Sequence, residues 1–136
     1  MFESLAKNTL VPLLLRFCLA VIFIVHGLEK VNPDMGWGAR WGDQMPDPPP
    51  AVLQLAVAWG ELIGGLAMAL GLLTRVAALG ITIIMIGAII TATGHRGFSQ
   101  GYEYNFAIIV MCAALIIVGP GSFSVDNIFF RRKPAS

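Results

Sequence analysis

The chain has 136 residues, of which 57% are hydrophobic and 12% charged, and its formal net charge is +1. A soluble domain carries about 25% charged residues, so this composition excludes an ordinary soluble fold and points to one membrane domain over residues 1–136. The near-neutral balance, with no basic run before the tail, gives nucleic acid no footing as a partner.

Leu10–Leu28 is the first apolar run. It exceeds the ~7–15 residue core of a secretory signal, and no small-x-small site follows, so it reads as a retained span. Residues 29–50 form an outer loop with Trp37 and Trp41, residues suited to the aromatic belt of a membrane surface. This loop exceeds what a tight helical hairpin needs and is expected to fold back as a cap over the bundle end. Pro48, Pro49 and Pro50 cannot continue a helix, so the second span starts at about Ala51 and runs to Leu73. Near its centre sits one carboxylate, Glu61, among Gly60, Gly64, Gly65 and Ala67, small residues that let a neighbouring helix approach closely. Thr74-Arg75 is too short a connection for anything but an antiparallel neighbour, and Val76–Thr93 is the third span. A polar loop with His95 and Arg96 leads to the fourth span, Tyr104–Val118, which Gly119-Pro120-Gly121 terminates. The tail then carries Phe123, Val125, Ile128, Phe129 and Phe130 ahead of Arg131-Arg132-Lys133, the pattern of a short interfacial segment. The expected fold is therefore all-α, a bundle of four transmembrane helices spanning about 10–28, 51–73, 76–93 and 104–118.

With four spans, both termini and the Thr74-Arg75 turn share one side, together with Lys7, Arg75, Arg131, Arg132 and Lys133. The opposite side holds Lys30, Arg40 and Arg96 beside five acids, Glu29, Asp34, Asp43, Asp47 and Glu103. The positive-inside rule then predicts cytoplasmic termini.

A charge near the bilayer centre needs a partner or a proton. Placing each span's midpoint at one depth makes Arg16 and Glu61 the only opposite charges at comparable level, and predicts that they pair. Arg75 and Asp126 are expected to pair near the surface and hold the tail against the turn between spans two and three. His26, Trp59, Glu61 and His95 map to the middle and outer half of the bundle. There, imidazoles and a carboxylate beside an aromatic wall would suit a bound redox head group. Two histidines and a carboxylate, His26, His95 and Glu103, could bind a metal, but no two of them share an i, i+3 or i+4 face, so no metal site is predicted. Cys18 and Cys112 fall in apolar runs, form no CxxC pair, and read as small core residues. No nucleophile elbow, phosphate loop, CxxCH or HExxH occurs, so no catalytic residue is assigned and a self-sufficient enzyme is not expected.

Several pieces in order along the chain resemble the DoxX family of small four-helix membrane proteins. They are Arg16-Phe-x-Leu-Ala, Phe23-Ile-x-x-His26-Gly27-x-x-Lys30, Glu61-x-x-Gly64-Gly65, Leu70-Gly71-Leu-Leu-Thr74-Arg75, and Gly119-Pro120-Gly121-x-x-Ser124-x-Asp126. The resemblance implies a helical bundle in a bacterial inner membrane. It also implies association with thiosulfate:quinone oxidoreductase or other membrane redox and detoxification complexes. The expected function is thus a small membrane subunit of a quinone-linked oxidoreductase, with a non-covalently bound quinone as the one cofactor considered. The alternatives are a non-catalytic structural or assembly subunit and, less simply, a small transporter. The expected partners are the lipid bilayer and other membrane subunits or further copies of the chain.

Overall fold

A computed structural model describes residues 1–130, and the expected basic run Arg131–Lys133 lies outside them. Four helices are long and apolar enough to cross a membrane: α1 Phe2–Lys30, α2 Ala51–Leu70, α3 Thr74–Arg96 and α4 Phe98–Val118. A short α5, Val125–Phe129, follows them, capped by the Ser124 hydroxyl, which accepts from the Asn127 N–H at 3.1 Å. The all-α four-span architecture is as expected. Several boundaries differ from the sequence reading, each for a local reason.

α1 starts at Phe2 rather than Leu10 and has 29 residues. At 1.5 Å per residue it is ~43 Å long, well over the ~30 Å hydrocarbon layer. Pro12 has no N–H to offer the Asn8 carbonyl one turn earlier. The helix widens there into a π turn over Ala6–Leu10, with the Val11 N–H reaching back to Ala6. The freed Asn8 carbonyl instead accepts the Ser122 N–H at 2.9 Å, which ties the tail to α1.

α2 ends at Leu70, before the apolar run does, because Gly71 adopts a left-handed conformation with φ 67°. The Gly71 N–H reaches Met68 and the Leu72 N–H reaches Ala67, a Schellman closure that satisfies the last carbonyls. α3 runs past the expected Thr93 through a 3-10 turn, Gly94–Arg96, and α4 begins before the expected Tyr104 with a π turn, Phe98–Tyr102.

The register of α1 against α2 is set by glycine. A Cβ on Gly27 would stand 2.6 Å from the Leu62 backbone, and one on Gly65 would stand 2.7 Å from the Ile24 nitrogen. The two backbones therefore touch, which only glycine permits, and dispersion across that contact replaces the hydrophobic drive that lipid removes. Leu19, Phe23, Met68, Ile81, Ile108, Cys112 and Leu115 fill the bundle interior. Cys112 is buried as expected, but Cys18 is exposed. Its neighbours Arg16, Leu19, Ala20, Phe23 and Gly27 form the inward face of α1, and Cys18 falls outside that face.

The outer loop folds back on α2, as its length suggested. Gln54, almost wholly buried, collects it: Oε1 accepts the Gly42 N–H at 2.6 Å, while Nε2 donates to Asp43 at 3.1 Å and to the Pro49 carbonyl at 2.9 Å. A buried amide with three satisfied bonds is worth far more than its surface equivalent, because each lost partner would leave a desolvated group.

Candidate functional site

The glycine-set register carries Lys30, the last residue of α1, to the middle of α2. Its ammonium donates to Glu61 Oε2 at 2.5 Å, with the carboxylate side chain 4% exposed and the lysine side chain 21% exposed. The position also suits a cation electrostatically, since the C-terminal end of α1 carries partial negative charge. Lys30 Nζ lies 5.3 Å from the centre of the Trp41 ring, within cation–π range. Trp41 is held in turn by its indole N–H, which donates to the Gln54 carbonyl at 2.8 Å. The loop, the end of α1 and the centre of α2 are thus one connected polar assembly.

A cavity of about 430 Å³ opens beside this assembly, between α2 and α3 under the loop. Trp41, Met45, Pro49 and Leu53 form its outer wall, and Val57, Ile84 and Ala88 its flanks. Gly87, Ala88 and Ala92 leave room for it on α3. Among the described residues, Lys30 and Glu61 are the only ionisable groups lining it. An ammonium has three donors and one is taken by Glu61, so Lys30 keeps donors for a ligand oxygen. The arrangement suits a flat, largely apolar molecule with a carbonyl or hydroxyl at one edge.

The structure separates most of the residues grouped by sequence. Of His26, Trp59, Glu61 and His95, only Glu61 lines the cavity. His26 packs between α1 and α4, its ring 6.2 Å from that of Tyr104 and 6.5 Å from that of Phe23. Trp59 donates its indole N–H to the Trp37 carbonyl at 3.0 Å, and both rings are exposed at the loop end. His95 is exposed in the turn Gly94–Arg96.

The expected Arg16–Glu61 pair does not form. Glu61 belongs to Lys30, while the Arg16 guanidinium donates to four backbone carbonyls. Nε reaches Met68 at 3.0 Å, Nη2 reaches Ala69 at 3.2 Å, and Nη1 reaches Pro120 at 3.0 Å and Phe123 at 2.5 Å. The spans are not centred at one depth, as the pairing assumed. The Gly27–Leu62 and Gly65–Ile24 contacts set Arg16 level with the end of α2, about two turns from Glu61. There it neutralises the orphan carbonyls and the negative end of the helix dipole.

The expected Arg75–Asp126 pair is also replaced. Asp126 accepts the Leu73 N–H at 2.6 Å and the Thr74 N–H at 2.8 Å, capping α3 from the tail. The tail does dock on this turn, but through backbone donors that a charge count cannot see.

Lys30 and Trp41 are the members that sequence reasoning missed. The signal was present in the spacing. Gly27 and Lys30 are three apart on α1, and Glu61, Gly64 and Gly65 are three and four apart on α2. Each helix therefore shows a glycine contact with a charge one turn away on the same face, and antiparallel packing of the glycines brings the charges together. Among the described residues no group of three or more His, Cys, Asp or Glu side chains is placed to hold a metal.

The comparison with known proteins adds to this geometry. The chain is 31% identical over 121 residues to a Bacillus subtilis protein named "Putative oxidoreductase CatD", covering 89% of this chain and 88% of that one. It is 36% identical over 129 residues to an uncharacterised Haemophilus influenzae protein, covering 90% and 85%. An uncharacterised membrane protein of Mycobacterium tuberculosis is 25% identical over 135 residues, covering 89% and 82%. No solved structure matches the chain. The DoxX family model matches residues 11–94, which contain Arg16, Lys30, the outer loop, Glu61 and the α2–α3 turn. The chain belongs to the DoxX family.

Proposed function

We propose that this chain is a membrane subunit of a quinone-linked oxidoreductase, and that the cavity beside Lys30 and Glu61 holds the quinone head group. The observation that carries the reading is an apolar cavity of about 430 Å³ lined by a single ion pair and a tryptophan. A quinone ring is flat and apolar and presents two carbonyl oxygens. Lys30 would donate to one of them, and the Lys30–Glu61 pair would supply a proton as the ring is reduced. Reduction of a quinone to its quinol consumes two electrons and two protons; the electrons would come from a partner redox protein, and the second proton, like the one that restores the pair, from water. The oxidoreductase name of the Bacillus subtilis relative agrees with this.

The same proposal places the protein in a bacterial inner membrane with the tail end cytoplasmic. In the sequence the tail side carries Lys7, Arg75, Arg131, Arg132 and Lys133, against Lys30, Arg40 and Arg96 on the loop side. A second reading, a non-catalytic structural or assembly subunit, is favoured by one observation. Arg16 bonds only backbone carbonyls of α2 and the tail, a purely architectural use of a charge.

The two readings part on one experiment. Native protein and the variants Lys30→Met and Glu61→Gln are purified from quinone-containing membranes, and co-purifying quinone is quantified against folded protein. The quinone reading expects at least tenfold lower occupancy in both variants. Unchanged occupancy in both, at normal helical content, leaves the structural reading.

A further inference from the structure

A second cleft, of about 360 Å³, lies at the opposite end of the bundle, where the first turn of α3 meets the tail. Thr74, Arg75, Pro120, Asp126, Asn127 and Phe130 line it. Two features of this cleft go unexplained by the fold alone.

The first is Arg75. It is exposed, its guanidinium lies across Gly119, and it forms no ion pair with the described residues. The neighbouring acid, Asp126, is already occupied, with both carboxylate oxygens accepting the N–H groups of Leu73 and Thr74. Arg16 stands close by and is positive too, so two arginines face one acid and the region keeps a net positive charge. The second is the lip of the cleft. Ile128, Phe129 and Phe130 are exposed by 75%, 75% and 68%, and each stands within a few residues of Arg75's cleft on the short α5 and its end.

We propose that this cleft binds the phosphodiester of an anionic membrane phospholipid. Arg75 pairs with the phosphate oxygens, for which its planar fork is suited. Ile128, Phe129 and Phe130 lie against the acyl chains. A soluble phosphate would account for Arg75 alone and engage none of the three exposed apolar side chains. A phospholipid meets both halves of the site, and it is present wherever a helix bundle of this kind resides.

Native mass spectrometry of the detergent-purified chain tests the assignment. Phosphatidylglycerol and phosphatidylcholine are titrated separately, with inorganic phosphate as a soluble competitor. The expected result is preferential retention of phosphatidylglycerol, about fivefold weaker binding in Arg75→Gln, and intermediate binding in Arg75→Lys, which keeps the charge but loses the fork. That factor corresponds to about 1 kcal/mol for one cation at an anionic surface. Arg96→Gln, at the other end of the bundle, should leave binding unchanged. Equal retention of phosphatidylglycerol by native protein and folded Arg75→Gln would overturn the proposal. Displacement of the lipid by millimolar inorganic phosphate would overturn it too, by making the ligand a free anion. Because Arg75 is exposed, the variants should keep native helical content, and Arg75→Lys separates loss of charge from loss of fold.

Discussion

Breaking the Lys30–Glu61 pair should produce an asymmetric loss of stability. In Lys30→Met the carboxylate of Glu61 is stranded at 4% side-chain exposure, beside an apolar cavity. Removing one partner of a buried pair costs about 3–5 kcal/mol. Water entering the adjoining cavity can solvate the stranded carboxylate, which holds the expected cost near the lower figure, about 3 kcal/mol. In Glu61→Gln the survivor is a flexible ammonium with 21% exposure at a helix end. It can turn toward water and still lie against Trp41, so the expected loss is only about 1 kcal/mol. The double variant leaves no charge behind and should fall within about 1 kcal/mol of the native protein. The two single losses sum to about 4 kcal/mol, so the cycle predicts a coupling of about 3 kcal/mol between the sites. Reversible unfolding in mixed detergent micelles, followed by helical circular dichroism, measures all four species. An additive cycle, or a Glu61→Gln loss larger than that of Lys30→Met, would refute the pairing and its stated burial.

Arg16 and Glu61 share no contact, so Arg16→Ala and Glu61→Ala should combine additively within about 0.5 kcal/mol, in the same unfolding assay. Arg16→Lys should recover little of the Arg16→Ala loss, because one ammonium cannot serve four carbonyls arranged around a planar guanidinium. Gly27→Ala and Gly65→Ala should each cost more than about 2 kcal/mol, since the added carbon meets backbone at 2.6 and 2.7 Å. Gly80→Ala, with no atom within 4 Å of the new carbon, should fall within about 0.5 kcal/mol of native. In a cysteine-free background, an impermeant thiol reagent applied to intact cells should label a cysteine placed at the exposed Gly97 and spare one at Ser4. Labelling at Ser4 would reverse the proposed orientation.

The number of spans, their all-helical character and the folding back of the outer loop were legible in the sequence. A bilayer makes these features local: an apolar run of sufficient length must form a helix, because lipid offers its backbone no other hydrogen-bond partner. The helix ends were less legible, since Gly71 closes α2 inside an apolar run and the π turn at Pro12 continues α1 through polar residues. Lipid-facing and bundle-facing positions are equally apolar, which is why Cys18 and Cys112 read alike and yet face opposite ways. The identity of the ionic partners was decided only in three dimensions. Glu61 was recognisable as a buried charge needing a partner, but the depth argument chose Arg16, where the structure supplies Lys30. Two backbone contacts, Gly27 on Leu62 and Gly65 on Ile24, shift α1 along α2, deliver Lys30 to Glu61, and leave Arg16 among carbonyls at the far end. Composition determines that helices cross a membrane; the places where glycine lets two backbones touch determine which charges meet there.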